Sequence, residues 1–262
     1  MIDFVRKESY DLEDLKKIVS ILRSPEGCPW DKVQTHETLR RGMLEESYEV
    51  VEAIDEGSTE HLKEELGDVL LQVVFHADIE NDAGRFDLND VADGVSKKLV
   101  FRHPHVFGSV DVADTEEVLV NWEQLKRQEK GQETYTDTLN AVAKTLPALW
   151  RAEKVQKKAR KANFDWPDVS GALDKIAEEL EELKTAISQQ SNIEEELGDL
   201  LFAAVNAARF VEVDPEEALN RASDKFIARF ARMEDFAIAE GKDMGEMTLE
   251  QLDALWDRAK RA

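Results

Sequence analysis

Cysteine occurs once in the 262 residues, as Cys28, so no disulfide can close within the chain and no cysteine cage can hold a metal. Positive charge is scarce: 34 Lys and Arg stand against 57 Asp and Glu, a formal net charge of −23. Polyphosphate backbones are gripped by clustered cations, so this balance argues against general nucleic-acid binding. An anionic ligand would need a metal ion or a local basic patch. No run reaches the roughly 18 apolar residues of a membrane span. The start, Met1 to Lys7, has no apolar core of signal-peptide length. A soluble cytoplasmic protein is expected, with no nucleic-acid or membrane partner. Strand-like alternation is nearly missing, which leaves an all-α chain with 42% hydrophobic residues to build its core.

Leu12, Leu15, Val19 and Leu22 fall at helical spacing over residues 11–23. Two prolines and a glycine between Ser24 and Trp30 end that helix. Thr35 or Thr38 can cap the next, which runs to about Asp55 with Leu44, Tyr48, Val51 and Ile54 as its apolar stripe and ends at Gly57-Ser58. Helices are expected over 60–81, 88–102 and 116–129, and Pro104 should force an extended exit after His103. Lys130 to Thr138 is polar and aperiodic. The expected organisation is a helical domain over 1–130, a linker over 131–145 and a second helical domain over 146–262. In the latter, the basic run 151–161 reads as a solvated helix face. Helices are then expected over 171–188, 192–211, 215–240 and 248–261.

The halves repeat one another. Glu64-Glu65-Leu66-Gly67-Asp68 returns as Glu195-Glu196-Leu197-Gly198-Asp199. Before each stands a denser acidic phrase, Glu45-Glu46-Ser47-Tyr48-Glu49 and Glu178-Glu179-Leu180-Glu181-Glu182. Trp30 and Trp166 precede those phrases, Lys98/Arg102 and Lys225/Arg229 follow, and Trp122 and Trp256 close each half. Two tandem related helical bundles result.

A single EExxE is the ordinary pattern of a solvated helix face. Its ordered repetition with ExxD is what asks for another reading. Residues three or four apart share a helix face, so Glu46 pairs with Glu49, Glu65 with Asp68, Glu179 with Glu182 and Glu196 with Asp199. Packing the neighbouring apolar stripes, with Leu180, Leu183 and Ile187 against Leu197, Leu200 and Ala204, would gather four carboxylates that repel unless a cation lies between them. All-oxygen ligands suit Mg²⁺ or Mn²⁺. Such an ion draws phosphate oxygens; Lys225 and Arg229 can neutralise remaining phosphate charge, and Trp256 can stack on a base. Gly67 and Gly198 sit inside helices at a cost of about 1 kcal/mol each relative to alanine, and a close helix–helix approach would explain them. His36, His61 and His76 have no neighbour at ligand spacing and are expected to be incidental. His103 and His105 flank a proline at a loop exit.

EExxE followed by ExxD on consecutive helices resembles the all-α nucleoside triphosphate pyrophosphohydrolases. Cys28-Pro29-Trp30-Asp31, the run Arg102 to Phe107, Phe164-Asp165-Trp166 and Trp256 extend the likeness nearly end to end, toward the two-domain, MazG-like members. The resemblance implies Mg²⁺-dependent cleavage between the α and β phosphates, a homodimer, and a C-terminal half that is the main active one. It implies Glu179, Glu182, Glu196 and Asp199 as metal ligands, with Glu46, Glu49, Glu65 and Asp68 as a second set. It places Lys175, Glu178, Glu179, Glu195, Asp199, Lys225, Arg229 and Trp256 around the nucleotide, with Lys126 from the first half. Among these, Glu178 would orient the attacking water, and Lys225 and Arg229 would steady the departing pyrophosphate. Asn192 stands where relatives can carry a lysine. Two rivals remain. A ferritin-like di-iron bundle needs Glu-x-x-His, and no Glu here has a His three residues on. An acidic helical interaction module would not need the cationic and Trp landmarks beside both clusters.

Overall fold

The computed structural model describes residues 4–110 and 114–261, apart from the side chains of 115–117, 119–120 and 123–124. The described residues form helices and turns, with no strand among them. The chain divides into two compact units, Met1–Lys126 and Arg127–Ala262.

The first unit contains α1 (Leu12–Arg23), α2 (His36–Glu56), α3 (Thr59–Asp82), α4 (Leu88–Arg102) and the short α5 (Pro104–Phe107), and ends within α6 (Thr115–Glu129). Local chemistry sets the boundaries. Asp11 caps α1. Thr35 caps α2, and Thr38 closes the capping box, so both threonines named above are used. Gly57, left-handed at φ 66, ends α2, and the Ser58 side chain caps α3. Val19, Leu39, Val74 and Phe75 form the core. Arg23 ties α1 to α3 through Asp78 and, at 2.8 Å, Asp82.

The second unit holds α7 (Tyr135–Asn140), α8 (Ala148–Ala159), α9 (Val169–Gln189), α10 (Ile193–Phe210), α11 (Pro215–Ala239) and α12 (Leu249–Ala259). Gln156 of α8 donates to the Phe202 carbonyl of α10 at 2.8 Å. Met233, Ala237, Leu255 and Ala259 join α11 to α12.

In both units, the acidic helix carries a line of residues seven apart with a glutamate at its middle. On α9 all three, Ala172, Glu179 and Ala186, are buried; on α2 Leu39 and Ala53 are buried and Glu46 between them is half-buried. Two turns of an α-helix take close to seven residues, so each line runs nearly straight along its helix. The lines face α3 and α10 respectively.

Several expectations are corrected. The large apolar stripes are not buried within the chain: Leu44, Tyr48, Val51, Ile54, Leu180, Ile187 and Leu197 are exposed. A Cβ on Gly67 or Gly198 would meet nothing within 4 Å, so a close approach does not explain them. Pro104 does not force an extended exit; it opens α5, taking a first-turn position where its missing N–H costs nothing. The stretch 131–145 carries α7, because Thr134 and Asp137 form a capping box there, and Thr138 and Val142 are buried.

Candidate metal centre and nucleotide site

The second unit builds its carboxylate cluster from a hairpin of α9 and α10. Asp168 caps α9 through the Ser170 N–H at 2.8 Å. The reversal uses two left-handed residues, Gln190 at φ 51 and Asn192 at φ 53. Asparagine is enriched in that region among residues with a side chain, which gives Asn192 a backbone role. Glu194, Glu195 and Glu196 then occupy the first turn of α10, where the helix N-terminus favours negative charge.

Ligand atoms of Glu179, Glu196 and Asp199 lie within 4.8 Å of one another. Glu179 is only 4% exposed. Its Oε1 accepts from the Lys175 ammonium at 2.6 Å, while its buried Oε2 has no hydrogen-bond partner. Lys175 also donates to Glu178 Oε1 at 2.7 Å. Hydrogen bonds to Glu178 and then Glu179 hold the Lys175 pKa above its ordinary value, so it stays cationic. Burial, and then the charge of Glu179, push the Glu182 carboxyl up. A buried carboxylate oxygen with no donor, set among oxygen ligands, fits a hard divalent cation.

The first unit repeats the cluster with Glu46, Glu49 and Glu65, again within 4.8 Å. Burial, then the charge of Asp68, push the Glu46 carboxyl up, which puts Asp68 beside the group. Burial, then Glu49, do the same to Glu65. The surroundings differ. With Glu46 aligned on Glu179, the position of Lys175 is taken by Gly42, and a Cβ there would lie 2.9 Å from Gln72 Nε2. His61 stands nearby instead, 3.2 Å from Glu65 and 2.9 Å from Glu56, and its pKa is raised by the Glu56 hydrogen bond.

The three histidines expected to be incidental therefore have partners. His36 Nδ1 meets His76 Nδ1 at 2.7 Å, and His36 Nε2 meets Glu80 at 2.5 Å. Glu80 also binds Arg85, and these contacts bring its carboxyl down to about 2. The i, i+4 spacing of His61 with Glu65 was the signal in the sequence for that pair.

Lys225 and Arg229 sit one turn apart on α11. The Arg229 guanidinium lies 5.9 Å from the Trp256 ring centroid, and Phe226 packs on the same ring at 5.1 Å. Among the described residues, no ion pair joins Lys225 or Arg229 to the carboxylate cluster. Glu195 is exposed in the first turn of α10. Lys126 lies over Trp122 at 4.7 Å, with Arg102 at 5.2 Å from the same ring.

One feature of this unit was not foreseen. Arg209, at the end of α10, grips Asp165 through two hydrogen bonds of 2.9 and 2.6 Å. Its side chain is 5% exposed and that of Asp165 is 13%.

The family model of the MazG nucleotide pyrophosphohydrolase domain matches residues 34–107 and again 169–232. The chain belongs to the MazG family. A MazG protein of Thermotoga maritima, a nucleoside triphosphate pyrophosphohydrolase/pyrophosphatase, is 46% identical over 248 residues, 95% of each chain. The nucleoside triphosphate pyrophosphohydrolase of Escherichia coli K12 is 42% identical over 255 residues, 95% of this chain and 97% of that one. The uncharacterized protein YabN of Bacillus subtilis is 49% identical over 254 residues, 96% of this chain but 52% of YabN. Each MazG-domain match contains one carboxylate cluster. Trp166 falls just ahead of the second match, and Lys126 and Trp256 fall outside both.

Proposed function

We propose that the chain is a Mg²⁺-dependent nucleoside triphosphate pyrophosphohydrolase that cuts between the α and β phosphates and releases the nucleoside monophosphate and pyrophosphate. The observation that carries the reading is the buried Glu179 oxygen without a donor, inside a cluster of Glu179, Glu196 and Asp199. The relatives' names supply the substrate class.

Glu179, Glu182, Glu196 and Asp199 would hold Mg²⁺, with Mn²⁺ as the alternative. When bound, the ion would supply positive charge to the triphosphate oxygens and to the charge that develops on them. The protein's own groups do the rest. Lys175, cationic at neutral pH, holds Glu178 beside the cluster. Glu178, more than half exposed at 57%, is free to orient water and take its proton at a carboxylate oxygen. Lys225 and Arg229 would neutralise the departing pyrophosphate, and Trp256 would stack on the base.

A homodimer is part of the proposal. Leu173, Leu180, Ile187, Leu197, Phe226 and Phe230 leave apolar surface exposed on α9, α10 and α11, more than scattered surface residues would leave. Incubation with assorted triphosphates and Mg²⁺ tests the chemistry. Pyrophosphate and monophosphate are the expected products. Release of single phosphate, or no Mg²⁺-dependent turnover, would overturn the reading in favour of an acidic interaction module.

A further inference from the structure

The indole of Trp166 lies over the first turn of α9. A Cβ built on Gly171 would stand 2.2 Å from its Cδ1 and 2.8 Å from its Nε1, so the ring occupies the place a side chain would take. Asp165, its neighbour, is locked by Arg209, and the Asp165 carboxylate also accepts from the Trp166 N–H at 3.1 Å. The loop is thus anchored on α10 while the ring rests on α9. Trp166 is still 40% exposed. Its counterpart ahead of α2, Trp30, is 62% exposed.

Gly171, Lys175, Glu178 and Glu182 repeat at i, i+4, i+7 and i+11, which is one stripe of α9. The indole therefore marks the N-terminal end of the stripe whose other end borders the carboxylate cluster. Gly171 and Glu178 are roughly 10 Å apart along the axis, a span that a ribose and its base fill. Packing alone does not call for an indole here, since an aromatic ring this exposed buries only part of its surface.

We infer that Trp166 forms the nucleoside end of the site, contacting the base or ribose of a triphosphate whose phosphates lie at Lys175 and the carboxylates. This rests on the proposed function and adds a specificity-determining residue to it. Asp165 and Arg209 act through Trp166 as positioning residues. Gly171 is required because only a hydrogen leaves room for the ring.

The test compares ATP and CTP with inorganic tripolyphosphate, which has no nucleoside. Trp166→Ala should raise KM for ATP by about tenfold or more, the scale of one lost base–aromatic stack, with a smaller rise for CTP and little change in kcat. Trp166→Phe should restore most of the loss. Gly171→Ala, which evicts the ring without deleting it, should reproduce the Trp166→Ala pattern. The inhibition constant of tripolyphosphate should stay the same in all three. Unchanged KM for both nucleotides in Trp166→Ala would overturn the inference. So would a fall in kcat that leaves the nucleotide-to-tripolyphosphate ratio unaltered, which marks a merely structural residue. A wild-type chain that turns over no triphosphate would instead overturn the proposed function itself.

Discussion

Replacing Glu196 by glutamine separates stability from function, because the two should move in opposite directions. Ligand atoms of Glu179, Glu196 and Asp199 lie within 4.8 Å of one another. Two unit charges at that separation repel by about 3 kcal/mol at an effective dielectric near 20. Glu196 is half-buried and Asp199 exposed, so water screens these pairs, and a net relief of about 1 kcal/mol is the working figure. In a chain of this length that raises Tm by about 2–4 °C. The metal-free variant should therefore melt above the wild type. In Mg²⁺ the order should reverse, since binding stabilises only the protein that still has its ligands. Disturbing the shell around metal ligands already costs about 10- to 100-fold in affinity, and losing a ligand should cost at least as much. The assay is thermal melting by circular dichroism, first with chelator and then with excess Mg²⁺, beside pyrophosphate release. A variant that melts below the wild type in chelator would refute the repulsion argument. A variant that keeps both the Mg²⁺-dependent gain in Tm and pyrophosphate release would refute the assignment of Glu196.

Two further outcomes are expected. Glu65→Gln should cost far less pyrophosphate release than Glu179→Gln, because the first unit has Gly42 where the second has Lys175; equal losses in steady-state rate would contradict this. His76 gives an acid-side prediction. Burial, then the charge of His36, hold its pKa below the ordinary histidine value. The unfolded chain therefore takes up this proton first, so the stability is fully present above about pH 6.5 and is lost as pH falls through that region. His76→Gln should flatten that decline in urea midpoints measured against pH.

The helices were legible because their ends carry their own chemistry. Asp11, Thr35 and Gly57 act at the boundaries their residue types suggest. The carboxylate clusters were legible because the acidic phrases recur in order on adjacent helices. The packing face was not. Leu44, Tyr48, Val51 and Ile54 read as the apolar stripe of α2 by their helical spacing, yet α2 buries Leu39 and Ala53 on either side of a half-buried Glu46, and α9 buries the line through Glu179. Hydrophobicity alone hides a line whose centre is charged. The histidines were undervalued for a related reason: His36 and His76 are 40 residues apart and meet only through the packing of α2 on α3. Asp165 and Arg209, 44 positions apart, lay beyond local pattern in the same way.

The line Ala172–Glu179–Ala186 is buried along its whole length. Its two ends are single methyl groups, so the interior beside Glu179 is filled without a bulky side chain. Exchanging either alanine for valine adds volume there without altering a charged group, so the carboxylates of the proposed site should be displaced and the Mg²⁺-dependent gain in Tm should shrink.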